Sequence, residues 1–199
     1  MEYLVTMTTN VPDGTPAQAV EDIRTREAAR SRELAAEHHL LRLWRPPLQP
    51  GEWRTLGLFA ADDDGQLDKV LTSMPLHVWR TDQVTPLAPH VNDPGPWETK
   101  ETDSEFLTEF TITIPKGMPS EAVADARMQE ADCAHLLAQE GHLRRLWGLP
   151  GQGRSLGLWR AKNGDEIEAI VKALPLDPWM ATEITPLTRH PNDPASMAS

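Results

Sequence analysis

The stretch PAQAVEDIRTREAARSRELAAEHHLLRLW at residues 16–44 sets the organisation of this sequence, because it returns as PSEAVADARMQEADCAHLLAQEGHLRRLW at residues 119–147. A second ungapped block aligns residues 54–94 with residues 154–194. The two blocks hold 70 aligned positions, of which 30 are identical. Ordered identity over blocks of this length indicates an internal duplication. The sequence therefore predicts two copies of one domain, residues 1–94 and 104–199, joined by a linker at 95–103 that is rich in Pro, Gly, Asp and Thr.

Both copies have the same predicted order of elements, βαββαβ. Strands are expected where β-branched, aromatic or alternating residues occur, at 3–9, 39–45, 54–60 and 79–87 in the first copy and at 106–114, 142–147, 154–160 and 179–187 in the second. Helices are expected from Pro16 to about Glu37 and over 66–73, with counterparts from Pro119 to about Glu140 and over 166–173. This order is typical of a ferredoxin-like split βαβ unit.

The sheet of such a unit carries helices on one face only, so its bare apolar face needs a cover. We expect the other copy to supply it. The predicted fold class is therefore α+β, with two ferredoxin-like βαββαβ repeats packed as an intramolecular pseudo-dimer of the dimeric α+β barrel type.

Composition excludes several classes of function. Hydrophobic residues make up 39% and charged residues 25% of the chain, which is typical of a soluble globular protein. A net charge of -11 opposes binding to nucleic acid. Neither a transmembrane segment nor a secretory signal is apparent, and the single cysteine, Cys133, suits a reducing compartment, so we expect a cytoplasmic protein with no membrane partner. Because CxxC, HExxH, GxGxxG and GKS/T motifs are missing, no metal site and no cofactor are expected.

Two charged residues interrupt the apolar stripe of the long helix in both copies. Steps of three and four residues from the apolar positions reach Arg24 and Glu27 in the first copy, and Arg127 and Glu130 in the second. A buried carboxylate beside a guanidinium is costly to desolvate, which favours a catalytic pair. The alternative is an ion pair between residues three apart at the edge of the stripe.

The strand after this helix carries a second group of candidates. With a period of two, His39, Leu43 and Arg45 share one face, whereas Leu40, Arg42 and Trp44 share the other. The histidine, matched by His142 in the second copy, is either a proton carrier or a solvated cap of the strand.

The arginines of this strand offer a planar fork for a carboxylate. Arg42, matched by Arg145, is either such a binding group or an ordinary surface arginine. Arg45 has only Gly148 as its counterpart, so if Arg45 takes part in the site, only the first copy keeps it in full. Trp44 is a further candidate for substrate binding, although its size favours a place in the core.

A short tail closes each copy, His-x-Asn-Asp-Pro at residues 90–94 and 190–194. Its residues either reach across to cover a neighbouring site or form a turn built on Asn-Asp-Pro, and the turn is the favoured interpretation.

Taken together, these motifs resemble the muconolactone Δ-isomerase family, whose small subunits have this length and element order. The resemblance covers nearly the whole chain, twice, and rests on these residues: Met-Pro or Thr-Pro at the start of the helix, Arg24-x-Arg26-Glu27, His39-Leu-Leu-Arg-Leu-Trp44-Arg45, Pro75-Leu76, Trp79, Val84-Thr85-Pro86-Leu87, and His90 or His190-Pro191. It implies a ferredoxin-like fold, paired subunits in higher homo-oligomers, and cofactor-free isomerisation of a small carboxylated lactone in aromatic catabolism. This chain departs from the family by fusing two copies and by Gly148.

The resemblance also implies roles for the candidate residues. Glu27 is expected to be the base that moves the proton, with His39 as its competitor. Arg24 or Arg42 would stabilise charge on the lactone carbonyl oxygen, and Arg45 with Arg42 would bind the substrate carboxylate. The second copy would use Glu130, Arg127, His142 and Arg145.

Three other functions remain open at this point. The same scaffold could serve a biosynthetic pathway as an isomerase or cyclase, or as a cofactor-independent oxygenase, and fold alone does not separate them. A non-catalytic ligand-binding module, in which the Arg–Glu pair is only structural, is the third.

Overall fold

The computed structural model describes residues 1–95 and 104–197. Most of the predicted linker, residues 96–103, lies outside the described residues. The chain divides into two compact units. Unit 1 consists of residues 1–87 together with the chain from Thr188 onward, and unit 2 consists of residues 88–187. The tail that closes the second sequence copy is therefore a structural part of unit 1.

Unit 1 contains a four-stranded antiparallel sheet and two helices. Its elements are β1 (Glu2–Thr9), α1 (Ala17–Ala36), β2 (Leu40–Arg45), β3 (Arg54–Ala60), α2 (Asp64–Thr72), a 3₁₀ turn (Pro75–Trp79) and β4 (Arg80–Pro89), of which residues through Leu87 belong to this unit. The strand order is β4-β1-β3-β2. Thr188 and Arg189 pair with Arg45 and Trp44 at the outer edge of β2, so the chain re-enters unit 1 beside that strand.

Unit 2 has the same architecture. Its elements are β5 (Ser104–Ile112), α3 (Ser120–Gln139), β6 (Leu143–Gly148), β7 (Arg154–Ala161), α4 (Gly164–Lys172), a 3₁₀ turn (Asp177–Trp179) and β8 (Met180–Arg189) up to Leu187. The strand order is β8-β5-β7-β6, and Ala88 and Pro89 pair with Gly148 and Trp147 at the edge of β6. A last short helix, α5 (Pro194–Met197), belongs to unit 1.

Every predicted strand and helix is present, with ends that differ from the prediction by two residues or fewer. Local signals explain part of this agreement, because the second helix of each unit is bounded by residues that start and stop it. Asp63 and Asn163 accept hydrogen bonds from the backbone of the residue three positions on, Gln66 and Glu166, and so cap the second helix of each unit. Pro75 and Pro175 follow the ends of those helices closely.

The first helix of each unit ends in the same hydrogen-bonded turn. The His39 N–H donates to the Leu34 carbonyl at 2.8 Å, and the His142 N–H donates to the Leu137 carbonyl at 2.8 Å. This turn requires a left-handed residue just after the helix. Unit 2 supplies Gly141 with φ of 82°, whereas unit 1 uses His38 with φ of 59°.

The core of unit 1 lies between the sheet and the helices, and it follows the two periodicities of the sequence. The buried residues of β1 alternate, as do strand side chains in general, and the buried residues of α1 recur every three or four positions. The main cluster consists of Tyr3, Val5, Met7, Leu34, Leu40, Leu43, Phe59, Ala61, Leu67, Val70, Leu71 and Met74. Each large apolar side chain buried in this way contributes about 1.5–3 kcal/mol.

The predicted alternation along β2 is wrong at its start. The pairing register of β2 with β3 shifts between Leu40 and Arg42, which leaves Leu41 as an extra residue. A bulge of this kind turns the residues before it to the opposite face. Leu40 therefore packs in the same core cluster as Leu43 instead of sharing a face with Arg42 and Trp44. The same shift occurs in β6 between Leu143 and Arg145.

Candidate active site

Unit 1 contains a cavity of about 630 Å³ beside α1, and charged side chains line much of it. Residues from β1, α1, β2, β3, the 3₁₀ turn and the C-terminal tail contribute to its wall. Five arginines and three glutamates are among them: Arg24, Arg32, Arg45, Arg54 and Arg80, with Glu21, Glu27 and Glu52. In a protein with a net charge of -11, this excess of cations marks a local site that attracts an anion.

Glu27 is the buried carboxylate of this cavity. It lies on the inward face of α1 in line with Ile23, Ser31 and Leu34, as helical periodicity requires, and only 7% of its surface is exposed. Its Oε2 accepts a hydrogen bond from the Leu76 backbone N–H at 2.8 Å. Burial raises the pKa of Glu27 above its ordinary value, although that N–H and a nearby arginine act in the opposite direction. A carboxylate of raised pKa is suited to accept and return a proton near neutral pH.

Arg80 is the cation beside Glu27, and the sequence did not indicate it. Its Nη1 lies 3.4 Å from Glu27 Oε1. Arg80 is almost fully buried and also donates to both Asp82 oxygens at 2.6 and 2.9 Å and to the Leu71 carbonyl at 3.2 Å. The Arg80 guanidinium is therefore fixed in place and holds Glu27 by charge.

The predicted Arg24–Glu27 pair is wrong. Arg24 points away from Glu27, since its Nη1 lies 3.7 Å from Glu21 and about half of its side chain is exposed. Its guanidinium lies 5.7 Å from the ring centroid of Trp53, at the cavity wall. Spacing of three residues brings side chains together only on the helix surface, and Glu27 turns inward from that surface. In the sequence, Arg80 is notable only for its position at the start of a strand. That position does not predict a contact with Glu27, which lies 53 residues earlier in the chain.

The tail from β8 supplies part of the cavity wall through His190, Pro191 and Asn192. His190 Nδ1 accepts a hydrogen bond from the Asn192 backbone N–H at 3.1 Å, so the ring proton is on Nε2. Burial, followed by the positive charges of Arg45 and Arg24, lowers the pKa of His190 to about 4. The imidazole is therefore neutral at pH 7 and offers one N–H donor. Both interpretations of the tail motif hold in unit 1, because the segment forms a turn and also covers the cavity.

Asp193 fastens this tail to β2. Its carboxylate has no exposed surface and accepts from Arg42 Nε at 3.1 Å, from Arg42 Nη2 at 3.1 Å and from the Leu43 backbone N–H at 2.9 Å. The guanidinium of Arg42 also lies 4.7 Å from the ring centroid of Trp44. Unit 2 repeats the arrangement, with Arg145, Asp93 and Trp147. Arg42 is therefore a buried structural partner and Arg145 a partly exposed one, whereas the sequence suggested substrate binding or ordinary surface positions.

Arg45 lines the cavity with a guanidinium that forms no ion pair in the described chain, a property it shares with the exposed Arg32. Among residues 1–95 and 104–197, no carboxylate lies within 4.0 Å of the Arg45 guanidinium, whereas Arg54 pairs with Glu52 at 3.1 Å. An arginine without a carboxylate partner at a cavity wall is available to bind a ligand carboxylate. In unit 2 the aligned Gly148 provides no such group.

The remaining candidates lie apart from the cavity. The Nδ1 atoms of His39 and His142 lie 3.0 Å from the carbonyl oxygens of Ala60 and Arg160, and neither histidine lines a cavity described for its unit. The bulge in each strand accounts for this, because it turns the residues before it to the other face. Trp44 is a core residue with 1% of its surface exposed.

The second predicted carboxylate, Glu130, lies at the corresponding place in unit 2. Its Oε2 accepts from the Leu176 backbone N–H at 2.9 Å, and burial raises its pKa. Met180 occupies the position of Arg80, so this carboxylate lacks the neighbouring cation. Arg127 is exposed and lines the unit 2 cavity together with Glu130.

Two further features of the described chain bear on metal binding and on membrane spanning. Within residues 1–95 and 104–197, no group of three or more His, Cys, Asp or Glu residues is arranged to hold a metal ion. Over the same residues, no helix has both the length and the apolar character that crossing a membrane demands.

Comparison with known sequences gives matches that each span one copy. The sequence model described as muconolactone delta-isomerase matches residues 1–93 and 104–193. The Muconolactone Delta-isomerase of Cupriavidus pinatubonensis is 28% identical over 44% of this chain and 95% of its own length. Muconolactone Delta-isomerase 1 of Acinetobacter lwoffii is 31% identical over 44% of this chain and 91% of its own length.

Comparison with solved structures concerns the fold alone. A heme-binding protein from Thermus thermophilus has a TM-score of 0.62 at 11% identity, covering all of this chain and 95% of that one. The chlorite dismutase of Candidatus Nitrospira defluvii has a TM-score of 0.59 at 9% identity, covering 94% of this chain and 91% of that one. These similarities, with the element order above, confirm the predicted α+β class with two ferredoxin-like repeats.

Proposed function

Since this chain belongs to the muconolactone delta-isomerase family, we propose that unit 1 shifts a carbon–carbon double bond in an unsaturated lactone by proton transfer through Glu27. The substrate class is a small lactone that bears a carboxylate side chain, as in the conversion of muconolactone to the enol-lactone of 3-oxoadipate. The observation that carries the proposal is a buried carboxylate of raised pKa at the wall of a cavity rich in arginine.

The reaction requires one group that both removes and returns a proton. The Glu27 carboxylate takes the proton from the ring carbon next to the ring oxygen, and the electrons of the broken C–H bond move through the double bond onto the carbonyl oxygen. The resulting dienolate then takes the same proton from the Glu27 carboxyl group at the carbon next to the carbonyl, which leaves the double bond in its new position. The carboxylate of Glu27 suffices for both steps. Arg80 and the Leu76 N–H keep that carboxylate in place.

The charge that develops on the lactone carbonyl oxygen needs a donor, and His190 suits this role. Its low pKa keeps the ring neutral with a proton on Nε2, so it donates a hydrogen bond without competing for the proton that Glu27 carries. Arg24, at the cavity wall, adds positive charge nearby. This assignment replaces Arg42, because the guanidinium of Arg42 is committed to Asp193.

Arg45 is the group we assign to the substrate carboxylate. It lines the same cavity as Glu27, and within the described chain it has no competing carboxylate. A planar guanidinium can bind a carboxylate through two parallel hydrogen bonds. Such a pair both binds the substrate and orients its lactone ring.

The two matched regions suggest how the chain is organised for this activity. We infer a tandem fusion of two copies of the family subunit, of which the first keeps the complete set of charged residues. The second keeps Glu130 and Arg127 but has Met180 and Gly148 at the positions of Arg80 and Arg45.

Replacement of Glu27 tests the proposed function. We expect Glu27→Gln to reduce the turnover of muconolactone by about 10²–10⁴-fold, the usual effect of losing an acid–base group. Turnover is followed by proton NMR in heavy water, which also reports deuterium incorporated at the carbon next to the carbonyl. Glu21→Gln is the matched control, since Glu21 lines the same cavity on the same helix but is two-thirds exposed. Equal turnover by Glu27→Gln and the unmodified protein would remove Glu27 from the mechanism.

A further inference from the structure

Unit 2 has a cavity of its own at the position that corresponds to the site in unit 1. Its volume is about 450 Å³, and it retains the carboxylate, the helix arginine and the tail histidine and asparagine as Glu130, Arg127, His90 and Asn92. The tail is again held by an ion pair, in which Arg145 Nε lies 3.1 Å from Asp93. The framework of a binding site is therefore preserved in the second copy.

Four other lining positions have changed from polar to apolar. Ile112 stands at the position of Thr9, Met128 at that of Thr25, Ala134 at that of Ser31 and Met180 at that of Arg80. Each replacement removes a hydroxyl group or a charge from the wall of the cavity.

Most of the positive charges that would hold an anion are missing from the lining of this cavity. Unit 1 lines its cavity with five arginines, whereas Arg127 is the single arginine that lines the cavity in the described part of unit 2. A ligand carboxylate placed here would lose its water without gaining the free guanidinium that Arg45 offers in unit 1. The lining therefore disfavours the anionic substrate that the first cavity suits.

An aromatic wall gives the cavity an apolar contact surface. The ring of Phe110 meets that of Trp159 edge to face, with centroids 6.3 Å apart. Trp159 Nε1 donates to the Thr108 hydroxyl at 2.8 Å, so its polar atom is satisfied within the protein and its ring is held in place. The aligned residues of unit 1, Met7 and Phe59, have less aromatic surface.

We propose that the unit 2 cavity is a separate binding site for an uncharged, largely apolar lactone, whose carbonyl group faces Glu130 and whose ring substituent packs against Phe110, Trp159 and Met180. Burial raises the pKa of Glu130, against the effect of the Leu176 N–H, and the protonated form of a carboxyl group donates a hydrogen bond to such a carbonyl. The lactone class rests on the proposed function, whereas the preference for an uncharged ligand rests on the lining alone.

Binding to the whole protein tests this site independently of turnover. The probe is 5-phenylfuran-2(5H)-one, a neutral butenolide, titrated by calorimetry, and furan-2-ylacetate is the anionic comparison. We expect the neutral probe to bind the unmodified protein at concentrations below about 1 mM. Arg45→Ala should leave that binding unchanged, because Arg45 lies in the other cavity, while it weakens binding of the anionic compound.

Two variants of unit 2 locate the neutral probe. Ala134→Leu adds bulk to the cavity wall, and the double variant Met180→Arg with Thr182→Asp rebuilds the ion pair that Arg80 forms with Asp82 in unit 1. We expect each to weaken binding of the neutral probe at least about tenfold. Circular dichroism and thermal unfolding confirm that both variants fold.

Three results would overturn the proposal: no binding of the neutral probe at about 1 mM, binding that Arg45→Ala abolishes, or binding that neither folded unit 2 variant affects. If Glu27→Gln retained full turnover while the neutral probe still bound through unit 2, the proposed function would fail and this site would stand.

Discussion

At the scale of single residues, the candidate site depends on how Glu27 is surrounded. The carboxylate is removed from water by α1 and the cavity wall, which raises its pKa, while the Leu76 N–H and the buried Arg80 oppose that effect. Glu130 keeps the burial and the N–H but has no arginine beside it. The two copies therefore offer the same carboxylate in two electrostatic settings, and the difference lies in one residue of the last strand.

Replacing Arg80 should change the pH dependence of the reaction. Arg80→Met removes a cation that lowers the pKa of Glu27 and leaves Asp82, which raises it, so the pKa of Glu27 rises further. The base form of Glu27 then persists only at higher pH. We expect the acid limb of the profile of kcat/KM against pH to move to higher pH, with less activity than the unmodified protein along that limb.

Arg54→Met is the control for this shift. Arg54 lines the same cavity but pairs with Glu52 at 3.1 Å. Its removal should alter KM more than the position of the acid limb. An acid limb that stays in place or moves to lower pH in Arg80→Met would contradict the assigned role of Arg80.

At the scale of elements, the turn after each long helix and the tail after each last strand control where functional residues lie. The bulge after Leu40 turns His39 away from the cavity, and the turn at His190 places an imidazole in its wall. His39 and His190 are the same type of residue. Their positions within the elements make one a strand-end residue and the other a site residue.

The helix end in unit 1 carries conformational strain that a substitution should remove. His38 is exposed and has a φ of 59°, a conformation that costs a non-glycine residue about 1 kcal/mol. We expect His38→Gly to raise the free energy of unfolding by about that amount in urea. Gly141→Ala, at the corresponding position with φ of 82°, should lower it similarly. A less stable His38→Gly variant, or no change from either substitution, would show that the turn does not control the helix end.

The tail should be held mainly by its ion pair with β2. Asp193 is fully buried, and its removal leaves the charge of Arg42 without its main partner, so we expect Asp193→Ala to destabilise unit 1 by about 3–5 kcal/mol. Asp93→Ala should cost less, because Asp93 and Arg145 are partly exposed. Chemical denaturation measures both losses. A larger loss for Asp93→Ala than for Asp193→Ala would contradict the burial argument.

At the scale of the whole molecule, duplication has given one chain two cavities of different character. The cavity in unit 1 is rich in arginine, and the cavity in unit 2 is largely apolar. Each cavity lies within one structural unit, because each unit includes the tail that sequence assigns to the other copy. A chain that holds two copies can keep one set of site residues while the other set changes.

Because the two cavities differ in charge, we expect that the unit 2 site, with Glu130, does not convert the anionic lactone. Glu130→Gln should leave the turnover of muconolactone unchanged, because the cavity around Glu130 has no counterpart of Arg45 or Arg80. Steady-state kinetics beside Glu27→Gln makes the comparison. A loss near half of the activity on Glu130→Gln would instead indicate two equivalent sites.

Patterns between near neighbours along the chain were enough to predict much of this protein. The duplication, the order and ends of the elements and the inward direction of Glu27 all follow from such patterns, since backbone periodicity and stop residues act within a few positions. The choice of Glu27 as the central candidate, and the observation that Arg45 has only Gly148 as its counterpart, came from those patterns.

Packing between distant segments, and not any local pattern, determines which residues contact Glu27 and line its cavity. Arg80 comes from 53 residues further along, and His190 and Asp193 come from the far end of the chain. The burial of Arg42 and the bulge at Leu41 likewise depend on pairing with distant segments. Such contacts depend on where the folded backbone brings those segments together. Local periodicity in the sequence therefore does not predict them.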